Sequence, residues 1–223
     1  MHKKELIRLI QSIAGKYSAY EVFTDFIRAA ALSISNVSDV RHGEVWEERE
    51  RMYIDTLRKY PEKERNLFPE MLNLLIYALD DQIEDVLGSV YMEAEMGSKF
   101  AGQFFTPFHL SELSAKLAIE EKCERFDGHV ITMTEPSCGG GGLIIAAVKV
   151  MLDKGINPQK YLRVLAQDLD WKGVYMCYLQ LSLLGIKATV VQGDTLSSPY
   201  VRGKTPERQI LRTPCQKGMP LWR

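Results

Sequence analysis

A run of four glycines, Gly139 to Gly142, interrupts the chain between a β-forming stretch (130–133) and an apolar helical stretch (143–152). Between the strand and the glycines lies Glu135-Pro136-Ser137-Cys138. Few folds tolerate a strand, a glycine loop and a helix in immediate succession. Downstream the pattern repeats. A second strand, 161–166, ends near Asp168, a helix over 171–184 closes on Gly185, and a third strand, 187–191, ends at Gly193-Asp194. With an amphipathic helix over 108–119, this alternation predicts an α/β fold with a doubly wound parallel sheet. Ligands of such sheets bind beyond the carboxyl ends of the strands, where these loops lie.

Before residue 98 the character differs. Apolar residues recur at helical spacing through 6–13 and 22–30, then in an acidic helix over 45–57 stopped by Pro61, then over 68–79 and 83–92. A polar break is expected at 33–39. The reading is a helical N-terminal domain (1–98), an α/β domain (99–196) and a basic C-terminal tail (197–223). Residues 1–98 carry 12 Lys+Arg against 18 Asp+Glu, residues 99–196 carry 10 against 10, and residues 197–223 carry 6 against 1. The tail reads as a solvated, weakly ordered segment that could touch phosphate. At 46% hydrophobic and 26% charged, the 223 residues exclude disorder, collagen-like repeats and a coiled-coil rod.

No stretch approaches the ~20 apolar residues of a membrane helix, and the N-terminus does not read as a signal peptide. Cys123, Cys138, Cys177 and Cys215 form no CxxC pair and read as reduced thiols, so the expected location is the cytoplasm. The histidines show no metal-ligand spacing, and no metal is expected.

Glycines after a strand let a ligand approach the backbone and point the N–H groups of the next helix at it. Asp168 is placed to accept from ribose hydroxyls, and Asp194, one strand further, from an adenine amine. Either aspartate alone reads equally as a helix or turn cap. Together with the glycines, in order and at strand ends, they point to a nucleoside-type cofactor. The loop departs from G-x-G-x-x-G, because position 144 is Ile, and it lacks the Lys-Ser/Thr pair of a P-loop.

Glu135-Pro136-Ser137-Cys138-Gly139-Gly140-Gly141-Gly142 resembles the S-adenosyl-L-methionine (AdoMet) loop of the N-6 adenine DNA methylases, in particular the modification subunits of type I restriction systems. Gly102-Gln103-Phe104-Phe105-Thr106-Pro107 resembles the family's G-x-F/Y-Y/F-T-P element. Gln167-Asp168-Leu169-Asp170 resembles its acidic second-strand motif, and Gln192-Gly193-Asp194-Thr195-Leu196 its G-D-S/T-L motif. The resemblance spans roughly residues 85–196 and implies a partial Rossmann-like methyltransferase sheet behind a helical lobe. It implies that Thr106 and Pro107 contact the methionyl end of AdoMet, with Phe105 packing beside them. Glu135, Pro136, Cys138, Gly139 and Gly141 would form the cofactor loop, Asp168 would take the ribose and Asp194 the adenine ring.

The family's catalytic N/D-P-P-Y/F element, expected about 15–20 residues after G-D-S/T-L, is not found. Ser197-Ser198-Pro199-Tyr200 is a near-match without the acceptor or the second proline. No catalytic residue is assigned on this basis. Three readings stay open, the third of them a methyltransferase acting on another substrate. The first is an adenine-specific DNA methyltransferase, acting on DNA, with the acceptor element supplied by a second protein chain or an unrecognised substitute. The second is a non-catalytic AdoMet-binding or interaction module, a truncated relative.

Overall fold

The computed structural model describes residues 1–94 and 105–219. Six helices come first: α1 (His2–Ile13), α2 (Ala19–Val37), α3 (Glu44–Arg58), the one-turn α4 (Glu62–Arg65), α5 (Leu67–Asp81) and α6 (Val86–Glu93). Then follow α7 (Phe108–Glu124), β1 (Ile131–Glu135), α8 (Gly142–Asp153), the one-turn α9 (Pro158–Tyr161), β2 (Leu162–Asp168), α10 (Trp171–Leu183), β3 (Lys187–Gln192) and β4 (Ile210–Arg212). The sheet order is β1-β2-β3-β4. β1–β2 and β2–β3 run parallel, with Glu135 opposite Ala166 and Asp168 opposite Gln192, so the acidic strand ends lie side by side. Among the described residues no helix is long and apolar enough to cross a membrane.

Local chemistry explains where the helices start. Ser18 and Glu21 form a reciprocal capping box: the Glu21 N–H donates to Ser18 Oγ (3.2 Å), and the Ser18 N–H donates to Glu21 Oε2 (2.8 Å). α2 then runs through the polar stretch expected to break it. Ser35 and Asn36 are buried with partners instead of marking a loop. The Ser35 hydroxyl accepts from Arg49 Nη1 (3.1 Å). Asn36 Nδ2 donates to the Trp46 carbonyl (3.2 Å) and to Glu50 Oε2 (2.9 Å), and Trp46 Nε1 donates back to the Asn36 carbonyl (3.2 Å). These bonds fasten α3 along α2.

The helical layer joins the sheet through α2, which packs on α10, which in turn covers β2 and β3. A single hydrophobic cluster runs from Leu6 and Phe23 through Leu179 to Leu211. The expected boundary at residue 98 falls outside the described residues.

The expected weakly ordered tail is corrected over 210–217. β4 pairs antiparallel with β3, and Ile210 and Leu211 are buried. The Thr213 hydroxyl donates to the Ile186 carbonyl (2.7 Å) and accepts from the Ala188 N–H (3.0 Å). Lys217 Nζ donates to the Ser35 carbonyl (3.1 Å) and Ser38 Oγ (3.0 Å), and burial pulls its pKa down to about 8. Two apolar residues and a buried threonine decide the outcome here, not the basic charge around them. Residues 220–223 lie outside the described residues.

Arg49 joins the layers. Its Nη2 donates to the Ile210 carbonyl of β4 (2.7 Å) while Nη1 holds α2. Arg49→Met keeps most of the volume but strands that carbonyl, so urea unfolding should show a loss of about 1.5–3 kcal/mol. Exchange of amides in 210–217 should speed up more than exchange elsewhere. Unchanged stability and exchange would show that β4 docks without it.

Candidate functional site

Register brings the loops together. At the end of β1 the Cys138 N–H donates to the Gln167 carbonyl (2.9 Å), carrying the strand pairing into the loop. The chain then turns through two left-handed glycines, Gly139 (φ +48°) and Gly141 (φ +91°), before α8 begins. The Gly139 N–H donates to Asp168 Oδ2 (2.7 Å), and Asp168 Oδ1 accepts from the Asp170 N–H (2.9 Å). Asp168 therefore ties the loop after β1 to the loop after β2. Each carboxylate oxygen keeps a second lone pair for a ligand hydroxyl.

A second fastening comes from Gln180 on α10, which is fully buried. Its Nε2 donates to the Gly140 carbonyl (2.8 Å) and to Asp85 Oδ1 (2.9 Å), while its Oε1 accepts from the Leu87 N–H (3.1 Å). Asp85 also caps α6 by accepting from the Gly88 N–H (2.8 Å). The glycine loop, α6 and α10 thus share one buried polar network. Asp85 is 3% exposed, and burial pushes its carboxyl pKa up.

These elements enclose a cavity of about 270 Å³ at the carboxyl ends of the strands. Phe105, Thr106, Glu135, Cys138 and Gly139 line it. The Phe105 ring lies edge-on to Tyr91, with centroids 5.1 Å apart, and so close to the loop that a Cβ on Gly139 would meet it at 3.2 Å. Behind it the buried Lys172 ammonium lies 4.6 Å from the Tyr91 ring centroid and donates to the Tyr91 hydroxyl (3.2 Å). Gly102, Gln103 and Phe104 lie outside the described residues.

Other residues stand apart from the lining. Pro107 caps α7, Gly141 caps α8 with its back to Cys177, and Pro136 is exposed. Asp194 is exposed and closes its own turn. Its Oδ1 accepts from the Leu196 N–H (2.9 Å) and its Oδ2 from the Ser197 hydroxyl (2.8 Å), and these bonds hold its pKa down. The neighbouring Thr195 hydroxyl donates to the Pro136 carbonyl (2.6 Å), which brings this turn alongside the glycine loop. Larger hollows lie elsewhere, among them one of about 750 Å³ beside α5 and α9 and one of about 520 Å³ between Arg41 and Lys217.

The N-6 DNA Methylase family model matches residues 82–214, more than half of the chain. The chain belongs to the N-6 DNA methylase family. It is 25% identical over 171 residues to the type I restriction enzyme MpnII methylase subunit of Mycoplasma pneumoniae, covering 73% of this chain and 28% of that protein. This methylase-family chain thus spans little more than a quarter of the curated relative it matches. Its fold is similar to that of a putative class I S-adenosylmethionine-dependent methyltransferase from Listeria monocytogenes, with a TM-score of 0.50 and 13% identity over 90% of this chain and 55% of that one. A type I restriction-modification methyltransferase subunit from Streptococcus thermophilus aligns with a TM-score of 0.48 at 18% identity, over 84% of this chain and 42% of that one.

Sequence reading of the methylase motifs missed Asp85, Ser111, Ser114 and Gln180, all of which line or brace the cavity. The apolar spacing puts Asp85 inside a helix over 83–92, whereas it caps a helix starting at Val86. The available signal was an aspartate followed three residues later by Gly88. A Cβ on that glycine would lie 2.1 Å from Asp85 Oδ2.

Gly141 gives a direct check on the loop. Gly141→Ala forces an L-residue to φ +91° and sets its Cβ 3.2 Å from Cys177 Sγ. The strain of a left-handed non-glycine residue predicts a loss of about 1–3 kcal/mol in urea unfolding. A neutral outcome would mean that the loop does not need this turn.

Proposed function

We propose that the chain is the AdoMet-binding part of an adenine-specific DNA methyltransferase. The observation that carries this reading is the glycine loop held by Asp168 over a cavity at the carboxyl ends of parallel strands, in a chain of this family. The residues suit the cofactor. The first turn of α8 has no side-chain cap, so its N–H groups are available to an anionic group. Asp168 accepts the ribose hydroxyls, Asp194 the adenine amine, and Thr106 with Phe105 borders the methionyl end.

When bound, AdoMet supplies an activated methyl group. The chain's residues would orient it: Asp168 would fix the sugar, and Phe105 with the glycine backbone would shield the sulfonium side from water. The acceptor is the exocyclic amine of an adenine in DNA, which must leave the base stack to reach the site. That amine's lone pair is delocalised into the ring, so hydrogen-bond acceptors must draw on its hydrogens during transfer. Among the described residues no N/D-P-P-Y/F element offers them. Ser198 and Tyr200 instead hydrogen-bond Gln167 through their backbones (2.9 and 3.0 Å). The acceptor element is supplied by a second protein chain, which also reads the DNA target, and the assembly works in the cytoplasm. The missing element equally favours a second reading, an AdoMet-binding module without turnover.

Calorimetric titration with AdoMet and with the product S-adenosylhomocysteine (AdoHcy) tests the cofactor assignment. Micromolar dissociation constants are expected for wild type, with affinity reduced by roughly 1.5–3 kcal/mol in Asp168→Ala. No binding of either ligand would reject the assignment. Binding without methyl transfer to adenine in DNA, even with candidate partner chains present, would favour the module.

A further inference from the structure

We propose that Asp85 receives the α-ammonium group at the amino-acid end of the cofactor. The inference rests on the AdoMet reading above and assigns a binding role to a residue outside the glycine loop and the Phe105-Thr106-Pro107 element. Asp85 stands at the head of α6 and lines the loop cavity. Its two oxygens are used differently. Oδ1 accepts from the Gly88 N–H and from Gln180 Nε2, whereas Oδ2 accepts no hydrogen bond from any described residue.

Oδ2 is directed at the glycine loop. A Cβ added to Gly140 or to Gly142 would lie 3.2 Å from it. Gly88 leaves it room from beneath, where any Cβ would lie 2.1 Å from it. A helix cap needs only one carboxylate oxygen, so a second one that no described residue engages is surplus to the cap.

The charge of the cavity matches an ammonium ligand. Its described lining residues include two acids, Asp85 and Glu135, and no Lys, Arg or His. Glu135 is half-buried, and its Oε1 already accepts from the Ser137 N–H (3.3 Å). Asp85 lies deeper, at 3% exposure, where an unpaired carboxylate is costly and a salt-bridged one is strong. Burial raises its pKa, and no ion pair joins it to a described residue. The uncapped first turn of α8, with Gly142 and Leu143 on the cavity wall, offers N–H groups to the ligand's carboxylate, so both charges of an α-amino acid find a counterpart.

The discriminating pair of probes is AdoHcy and 5′-methylthioadenosine, which keeps the adenosine and the thioether but lacks the amino-acid end. Asp85→Asn is nearly isosteric. Its Oδ1 can still cap α6 and accept from Gln180, and only Oδ2 becomes an N–H₂ donor. By calorimetry, wild type should bind AdoHcy more tightly than 5′-methylthioadenosine. Asp85→Asn should lose at least tenfold in AdoHcy affinity while staying within twofold for 5′-methylthioadenosine. If Asp85→Asn does not fold, Asp85→Ser keeps a capping oxygen and should show the same split. An equal loss for both ligands, or unchanged AdoHcy affinity, overturns the proposal and leaves Asp85 as a brace of the loop. Wild type binding 5′-methylthioadenosine as well as AdoHcy also overturns it, while wild type binding neither overturns the cofactor reading instead.

Discussion

The carboxamide of Gln180 reaches three separate pieces of backbone or side chain from one buried position on α10: Gly140 in the glycine loop, Asp85 at the head of α6 and the Leu87 N–H within it. A glycine loop is conformationally free by itself, because Gly139 and Gly141 sit in a region of backbone space that other residues avoid. Its shape has to come from outside. Gln180 holds its carbonyl side, and Asp168 holds its N–H side. The Phe105 ring then closes the cavity, backed by Tyr91 and the buried Lys172. Because these bonds are shielded from water, leaving any one unmade is costly, and they hold the loop, α6 and α10 as a unit.

This arrangement explains why the helical layer belongs to the site. α6 contributes Asp85 and Tyr91, and it is fixed by α1 and α5 on one side and α10 on the other. α2, with α3 fastened along it, braces α10 from behind, and Arg49 of α3 reaches across to β4. The Ser35 carbonyl and Ser38 hydroxyl take the Lys217 ammonium from the far end of the chain. Segments that are remote in sequence therefore converge on the helix that positions the loop.

Much of the site was legible in the sequence because parallel strands place their following loops side by side. Once three strands were read in order, Glu135, the glycines and Asp168 had to lie at one sheet edge. Phe105 and Thr106 came from the resemblance of a short motif, not from periodicity. Asp85 and Gln180 were illegible for a physical reason: each is a polar residue in an apolar helical context, and only the fold brings them together. The same holds for Ser35 and Asn36, whose polarity signalled a loop until Trp46, Arg49 and Glu50 partnered them. In the last segment the basic composition masked Ile210, Leu211 and Thr213, which complete the sheet.

The central claim is that Asp168, Gln180 and Asp85 shape the glycine loop into the proposed cofactor site. Amide hydrogen exchange with and without AdoHcy tests it most directly, because it reports where the ligand orders the backbone. Slowed exchange concentrated in residues 85–88, 139–144 and 168–173 is the predicted result. Saturating AdoHcy that leaves these three segments unchanged, or protects instead the hollow beside α5 and α9, would contradict the account.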